Sequence, residues 1–249
     1  MPKQKGIIKI KGTLGDITFY KSGDGYLVRE KTGLDGARIA NDPAFVRTRE
    51  NGAEFGSSAG SGKLVRGALL PLMMSAKDGR VTGRLMKVMT NIKNMDATSV
   101  RGKRNVGAAI ALAPAKAQLK GFNFNSRAVL GSIFFRPYVV NTATGVITIN
   151  GLVPGTDVIA PSGATHMSLK GCWAKLDFNT NVSDAKLTNV VNVPLNNVSS
   201  NVILTPSAAA TGTGINIYAL QIEFFQLMNG IQYHLSNGEH NALSIIEVL

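Results

Sequence analysis

The chain has 249 residues and a formal net charge of +12; 44% of its residues are hydrophobic and 17% are charged. Its single cysteine, Cys172, excludes an intrachain disulfide, and no window approaches the ~20 apolar residues of a membrane span. The opening residues lack the apolar run of a signal peptide, so we expect a protein that stays in the cytoplasm or is enclosed in a virion or similar particle.

Most of the positive charge lies in the first half of the chain. Residues 1–127 hold 23 of the 27 Lys and Arg residues and 9 of the 15 Asp and Glu residues, whereas residues 128–249 hold 4 and 6. This division predicts two modules with different roles, a basic module over residues 1–120 and a second domain over residues 121–249.

The first predicted element is a β-hairpin, preceded by a looser alternation over Gly6–Lys11. Strands over Ile17–Lys21 and Tyr26–Glu30 flank a Ser-Gly-Asp-Gly turn, in which glycine tolerates a positive φ. Because side chains alternate across a strand, both faces are partly apolar, and a lone hairpin must pack on something. One face carries Ile17, Phe19, Tyr26 and Val28, and the other carries Thr18, Tyr20, Leu27 and Arg29. The apolar and aromatic residues expected to mediate assembly are Ile17, Phe19, Tyr20, Tyr26, Leu27 and Val28.

Helical periodicity begins near Asn41. Asp42 and Pro43 are typical of the N-cap and first position of a helix, here predicted over Ala44–Phe55. The Gly/Ser-rich run 56–62 is then expected to be a flexible loop between helices. Apolar stripes at helical spacing predict two further helices, Lys63–Lys77 with a kink at Pro71 and Arg80–Asn94.

After about residue 121 the alternation indicates strands with short connections, including one over Ala128–Phe135. Asn-Gly pairs at positions 150–151, 229–230 and 237–238 favour tight hairpin turns. The sequence therefore predicts an α+β protein, in which an N-terminal β-hairpin plus helical basic module precedes a C-terminal antiparallel β-sandwich.

Motifs for catalysis or cofactor binding fail in their details. Gly56–Lys63 resembles a phosphate-binding loop, but Ser57 stands where the motif needs glycine and Leu64 where it needs Ser or Thr. His234 and His240 flank a predicted turn that directs them to opposite faces, and Cys172 lies in an apolar strand without an evident base. We therefore expect no catalytic, cofactor or metal site, and a protein that is not an enzyme.

Basic residues on one predicted helix face and in the adjoining loop form a more specific candidate. They are Arg80, Arg84, Lys87, Lys93, Arg101, Lys103 and Arg104. Three interpretations stay open: contact with a nucleic-acid backbone, a solvated helix face, and contact with acidic groups of another copy of the chain. This stretch has no aromatic residue for stacking on bases, so a nucleic-acid contact would involve the backbone alone.

Several runs of the first half carry a family resemblance. They are Gly12–Lys21, Leu27–Lys31, Ile39–Phe45, Arg49–Gly56 and Gly62–Arg66. Over about residues 6–105 the chain resembles an uncharacterised family of Bacteroidota proteins. The resemblance implies a bacterial or phage source, and it brings no activity and no functional residue to this chain.

Together these patterns favour a self-assembling structural protein, a subunit of a filament, tube or virion-like particle. Copies would contact each other by strand addition, at the hairpin or at the strand Ala242–Val248, and through the basic module. The expected partners are therefore other copies of the chain, in a homo-oligomer or polymer. The alternative is a non-sequence-specific nucleic-acid-binding accessory protein, with nucleic acid as the partner.

Overall fold

The computed structural model describes residues 2–30, 33–34, 36–235 and 239–249. It combines helices with antiparallel sheets and divides into two compact units, Met1–Arg49 and Glu50–Leu249. The helices are α1 (Gly36–Asn41), α2 (Val46–Ala68), α3 (Leu70–Met73), α4 (Val81–Asn94), α5 (Val106–Ala109), α6 (Ala113–Leu119), α7 (Leu130–Ile133) and α8 (Pro154–Asp157). The strands are β1 (Gly12–Leu14), β2 (Ile17–Ser22), β3 (Gly25–Glu30), β4 (Val139–Val140), β5 (Ile147–Leu152), β6 (His166–Asp177), β7 (Val182–Pro194), β8 (Ser200–Leu204), β9 (Ile215–Met228), β10 (Ile231–His234) and β11 (Ala242–Val248).

The first unit is built on the antiparallel sheet β1-β2-β3. Lys21 pairs with Tyr26, and Ser22 pairs with Gly25 across the turn. This register confirms the composition of the two predicted hairpin faces, because it places the alternating residues of β2 and β3 opposite each other as expected. Pro2 and Gln4 extend the sheet beyond β3: Val28 N–H donates to the Pro2 carbonyl (3.0 Å) and Gln4 N–H donates to the Tyr26 carbonyl (2.9 Å).

The alternation over Gly6–Lys11 does not form a strand. The chain bends at Gly6–Ile8, and β1 begins only at Gly12. The Gln4 side chain accepts from the Ile10 N–H (2.9 Å) and donates to the Ile10 carbonyl (3.2 Å). These backbone groups therefore have partners without a neighbouring strand.

The prediction of a flexible loop at residues 56–62 was wrong, because α2 runs through this segment without interruption. Two serine hydroxyls donate to carbonyls one turn earlier, Ser58 to Glu54 (3.0 Å) and Ser61 to Ser57 (3.1 Å). The segment also lies against α4, since a Cβ on Gly62 would be in ordinary van der Waals contact with Met89 Cγ, at 3.7 Å. Tertiary contact therefore outweighs the low helix propensity of glycine and serine.

The predicted start of the first long helix differs in detail. Asp42 does act as a cap, and its carboxylate accepts from the Ala44 N–H (2.9 Å), but the element that it caps is a 3₁₀ turn, Pro43–Phe45. The α-helix α2 begins directly after that turn, at Val46.

The predicted apolar stripes around Pro71 and along α4 are confirmed as core. Helix α2 ends at Ala68 and α3 begins at Leu70, so the helical path is interrupted just before the proline. The stripe residues of both segments lie in or against one hydrophobic cluster: Leu64, Val65, Ala68, Leu69, Leu72, Met73, Ala76, Val81, Leu85, Val88, Met89, Ile92 and Met95.

The strands of the second unit form a curled antiparallel sheet, in the order β10-β9-β6-β7 with β11 also on β9, and a smaller sheet β4-β5-β8. Alternate residues of β6 and β9 enter two hydrophobic clusters. One cluster joins them to the helices, and the other joins them to β5 and β8. Part of the predicted strand Ala128–Phe135 is instead helix α7.

The expected module boundary after residue 120 lies within the second unit. There, helical residues such as Leu85 and Leu119 share a hydrophobic cluster with Cys172, Ile217 and Ile245 from the strands. By contacts, the chain divides after Arg49, and the division into two modules after residue 120 stays a prediction.

Candidate functional site

Four of the seven basic residues predicted as a contact surface have carboxylate partners in the second unit. The ion pairs are Lys93 and Arg104 with Glu54, Arg101 with Glu50, and Arg84 with Asp78. The other three, Arg80, Lys87 and Lys103, are exposed. Much of the predicted positive surface is therefore neutralised within the molecule.

Glu54 lies at the centre of this network, on the face of α2 that packs against α4. Its carboxylate is 3% exposed and accepts from Lys93 Nζ at 2.5 Å. Arg104 donates through Nε and Nη2 to the two carboxylate oxygens, both at 2.9 Å, and the Gly102 N–H donates at 2.9 Å. Such a bidentate contact between an arginine and a carboxylate fixes the relative orientation of the two side chains and also pairs their charges.

The cations around Glu54 stabilise its charged form. Hydrogen bonds from Arg104 and Lys93 outweigh the cost of burial and lower the pKa of the Glu54 carboxyl to about 2 from its ordinary 4.5. The carboxylate is thus ionised at neutral pH. Since Lys93 is itself 8% exposed at its side chain, each buried charge depends on the other.

A second buried carboxylate, Asp96, orders the loop that follows α4. Its Oδ1 accepts from the Ser99 N–H (3.0 Å) and from the Thr98 N–H (3.0 Å) and hydroxyl (2.8 Å), and its Oδ2 accepts from the Asn105 N–H (3.1 Å). Burial acts to raise the pKa of Asp96, but these hydrogen bonds outweigh it and hold the pKa well below its ordinary value. The loop is therefore tied at both ends.

The apex of this loop requires glycine. Gly102 has φ = +85°, and a Cβ there would lie 2.8 Å from Glu50 Cγ. Arg101 beside it reaches Glu50 at 3.1 Å in an ion pair that is partly exposed. The loop therefore rests closely on α2.

Arg84 links two segments of the second unit. Its guanidinium pairs with Asp78 (2.5 Å) and donates to the carbonyls of Asn123 (2.6 Å) and Phe124 (3.0 Å). It thereby joins α4 to the segment that leads towards the strands.

A polar cleft of about 320 Å³ opens beside the Glu54 network. Its lining residues are Asn51, Glu54, Phe55, Ser58, Thr90, Lys93, Asn94 and Arg104. The two cations face Glu54 directly, and Asp96 adds a further attraction on Arg104. Because the charges balance, this arrangement is suited to anchoring the loop on two helices rather than to holding an anion.

The residues predicted as the assembly hairpin lie on an open sheet. Leu27 is the one hydrophobic residue of the first unit that is buried within the described part of that unit. Phe19, Tyr20, Tyr26 and Val28 are half-buried, and Ile17 is 45% exposed. In the described part of this unit, the sheet has apolar side chains but does not form a core of its own.

The residues considered for catalysis lie in surroundings that are typical of structural residues. Burial raises the pKa of the Cys172 thiol to about 12, and the His234 ring packs on Phe225 with centroids 4.4 Å apart. Residues 56–63 lie inside α2, where helical bonds occupy the backbone N–H groups that a phosphate loop would need. Within the described ranges, no group of three or more His, Cys, Asp or Glu residues is arranged to hold a metal ion.

Glu54, Asp96 and Gln4 organise the structure but are not among the residues predicted from the sequence. Glu54 occupies a buried position at helical spacing from Ser58, Ser61 and Gly62, a small-residue stripe that could have revealed its face. Its partners lie 39 and 50 residues away, a separation that no local pattern reports.

Where the structure describes the chain, no helix is both long enough and apolar enough to cross a membrane. Comparisons with protein-family models, with curated proteins and with solved structures gave no match to this chain.

Proposed function

We propose that the chain is a self-assembling structural protein, a subunit of a filament, tube or virion-like particle, and not an enzyme. The observation that carries this proposal is the first unit, a sheet that exposes apolar side chains and buries a single hydrophobic residue among those described. A small sheet without a core is marginal in water unless another surface covers it. A second copy of the chain is the proposed cover.

Strand addition is the proposed mode of contact. Exposed apolar residues lie on β1 (Leu14, 74% exposed) and on β7 (Val182, 62%; Val190, 52%). The strand β11, the other candidate, is bonded to β9 on one side and on the other to residues 121–124, for example by Gly121 N–H to the Ile245 carbonyl (2.7 Å). The hairpin is thus favoured over β11 as the donated element.

We propose that the second unit is the antiparallel β-sandwich that the sequence predicts. It is supported by the cluster that joins β5 and β8 to β6 and β9, in which the Trp173 and Tyr218 rings stack at 5.9 Å. We place the assembly in the cytoplasm or within a particle.

Sedimentation velocity and negative-stain imaging of the purified chain test the assembly proposal. We expect large, regular particles, and we expect deletion of residues 1–31 to leave a folded monomer with an unchanged melting temperature. The double variant F19S/V28S should weaken assembly in the same direction, because these side chains lie opposite each other on one face. Intact assemblies from the truncated chain, or a monomeric full-length chain at high concentration, would contradict the proposal.

Nucleic-acid binding through the basic residues of α4 and its loop ranks second. Four of the seven cations have internal partners, which leaves Arg80, Lys87 and Lys103 free to meet phosphates. This alternative predicts retention of DNA below roughly 200 mM salt and its loss above. Particles with a protein-like ratio of absorbance at 260 and 280 nm would exclude it.

A further inference from the structure

The Gln4 loop, residues Gln4–Ile10, is an exposed segment of the first unit that hydrogen bonds close at its base. The Gln4 side chain binds both backbone groups of Ile10, and Lys9 Nζ donates to the Gln4 carbonyl at 2.6 Å. Gln4 N–H is in turn bonded to Tyr26 of β3. The loop is therefore held at its base and bends at its tip.

The tip of the loop presents aliphatic side chains to solvent. Ile7 is 102% exposed and Ile8 is 81% exposed, more than any other large hydrophobic residue in the described part of the chain. Lys5 and Lys9 flank this tip, Lys3 and Lys11 lie just beyond, and all four are exposed. Exposed aliphatic side chains flanked by lysines are typical of segments that bind at the interface between water and a lipid bilayer.

The cations of this sheet have no carboxylate partner among the residues that the structure describes. Residues 2–30 hold six basic and three acidic residues, and no ion pair joins them within that described range. Lys9 and Lys21 lie over the Tyr26 ring, at 5.9 and 5.7 Å, and Arg29 lies over the Tyr20 ring at 5.5 Å. In contrast to the network around Glu54, this positive charge is available to an outside partner.

We propose that the Gln4 loop binds an anionic lipid surface. Ile7 and Ile8 enter the interfacial region of the bilayer, and the flanking lysines contact lipid phosphates and carboxylates. The proposal goes beyond assembly and does not depend on it.

An anionic bilayer fits the loop better than the other partners. The bases of a single-stranded nucleic acid would stack on aromatic rings. The rings of Tyr20 and Tyr26 are half-buried and already contact cationic side chains, whereas the exposed side chains at the tip of the loop are aliphatic. A second copy of the chain carries the same excess of positive charge, +12. Of these three partners, the bilayer is the one that offers negative charge and an apolar interior together.

Co-sedimentation of the full chain with vesicles tests the proposal. We expect binding to phosphatidylcholine vesicles that contain phosphatidylserine and little binding to phosphatidylcholine alone. The variants I7S/I8S and K5Q/K9Q should each weaken the binding by about tenfold or more. A matched control, I203S/K63Q, removes one exposed aliphatic group and one exposed lysine from the second unit and should bind as the natural chain does.

The outcomes separate the alternatives. Failure of the full chain to bind phosphatidylserine vesicles, or unchanged binding by both loop variants, overturns the proposal. Binding of a soluble thymidine oligonucleotide that is lost in K5Q/K9Q, without vesicle binding, assigns the loop to nucleic acid instead. If I7S/I8S stops assembly in lipid-free buffer but still binds vesicles, the isoleucines serve assembly and the lipid role is refuted. Unchanged melting temperatures show that the second unit of each variant folds, and an unchanged far-ultraviolet circular dichroism spectrum shows that the sheet of the first unit is retained.

Discussion

Buried carboxylates organise the helical part of the second unit. Glu54 and Asp96 together receive hydrogen bonds from Lys93, Arg104 and four backbone N–H groups of the loop 98–105. Such groups are costly to bury unless their bonds are complete, so removal of one partner leaves the others unsatisfied.

The variant E54Q should therefore destabilise the protein strongly, by about 3 kcal/mol or more, since it leaves Lys93 buried without a counter-charge. The matched variant E50Q removes the partner of Arg101 in a partly exposed pair and should cost under about 1 kcal/mol. Urea unfolding of the three proteins measures both effects. Equal losses in the two variants would contradict a special role for Glu54.

The pH dependence of stability should report the same group. The pKa of Glu54 is lowered to about 2 in the folded chain from 4.5, so its stabilising contribution is complete above pH 4.5 and is lost as the pH falls towards 2. We expect the unfolding free energy to fall less steeply across this range in E54Q than in the natural chain. If the unfolding free energy depends on pH in the same way in both proteins, the pKa of Glu54 is not lowered in the folded chain.

At the scale of elements, α2 shows how packing replaces propensity. One face is buried, with Glu54, Ser58, Ser61, Gly62 and Val65, and it meets α4 at Glu54 and Gly62, while Gly52 and Gly56 have nothing within 4 Å of a Cβ. The helix is thus maintained by its buried face, and its exposed glycines only weaken it.

Alanine at Gly56 should therefore stabilise the protein, by roughly 0.5–1 kcal/mol. Alanine at Gly102 should destabilise it by about 1–2 kcal/mol, because that residue has a positive φ and its Cβ would meet Glu50. Thermal and urea unfolding of G56A and G102A measure whether each variant is more or less stable than the natural chain. Destabilisation by G56A would indicate that another copy of the chain packs closely on this face.

At the scale of the whole molecule, the two units differ in how much they bury. Both hydrophobic clusters draw their residues from the second unit, whereas the first contributes Leu27 as its buried hydrophobic residue in the described ranges. We therefore expect stability to reside in the second unit.

A chain that begins at Asp42 should accordingly melt cooperatively within a few degrees of the full chain. It retains the cap on the turn before α2 and both clusters. A peptide of residues 1–41 should show no cooperative transition, because it lacks a core. Circular dichroism during heating measures both. A melting temperature far below that of the full chain would assign stability to the first unit.

Local patterns predicted the elements that depend on local periodicity. The faces of the hairpin follow from alternation and a short turn, and the buried stripes of the segment 63–77 and of α4 follow from helical spacing; the structure confirms both. The loop expected at residues 56–62 failed because glycine and serine were judged by propensity, without the neighbouring helix that packs on them.

The sequence alone determined the excess of positive charge, the hairpin with two partly apolar faces and the apolar stripes, since each is a property of neighbouring residues. Only the tertiary structure decided which charges remain available. Lys93 and Arg104 are neutralised by Glu54, far away in the chain, whereas the lysines of the Gln4 loop have no carboxylate partner within the described residues. Ion pairing over such separations depends on how the helices pack, and a sequence pattern does not contain that information.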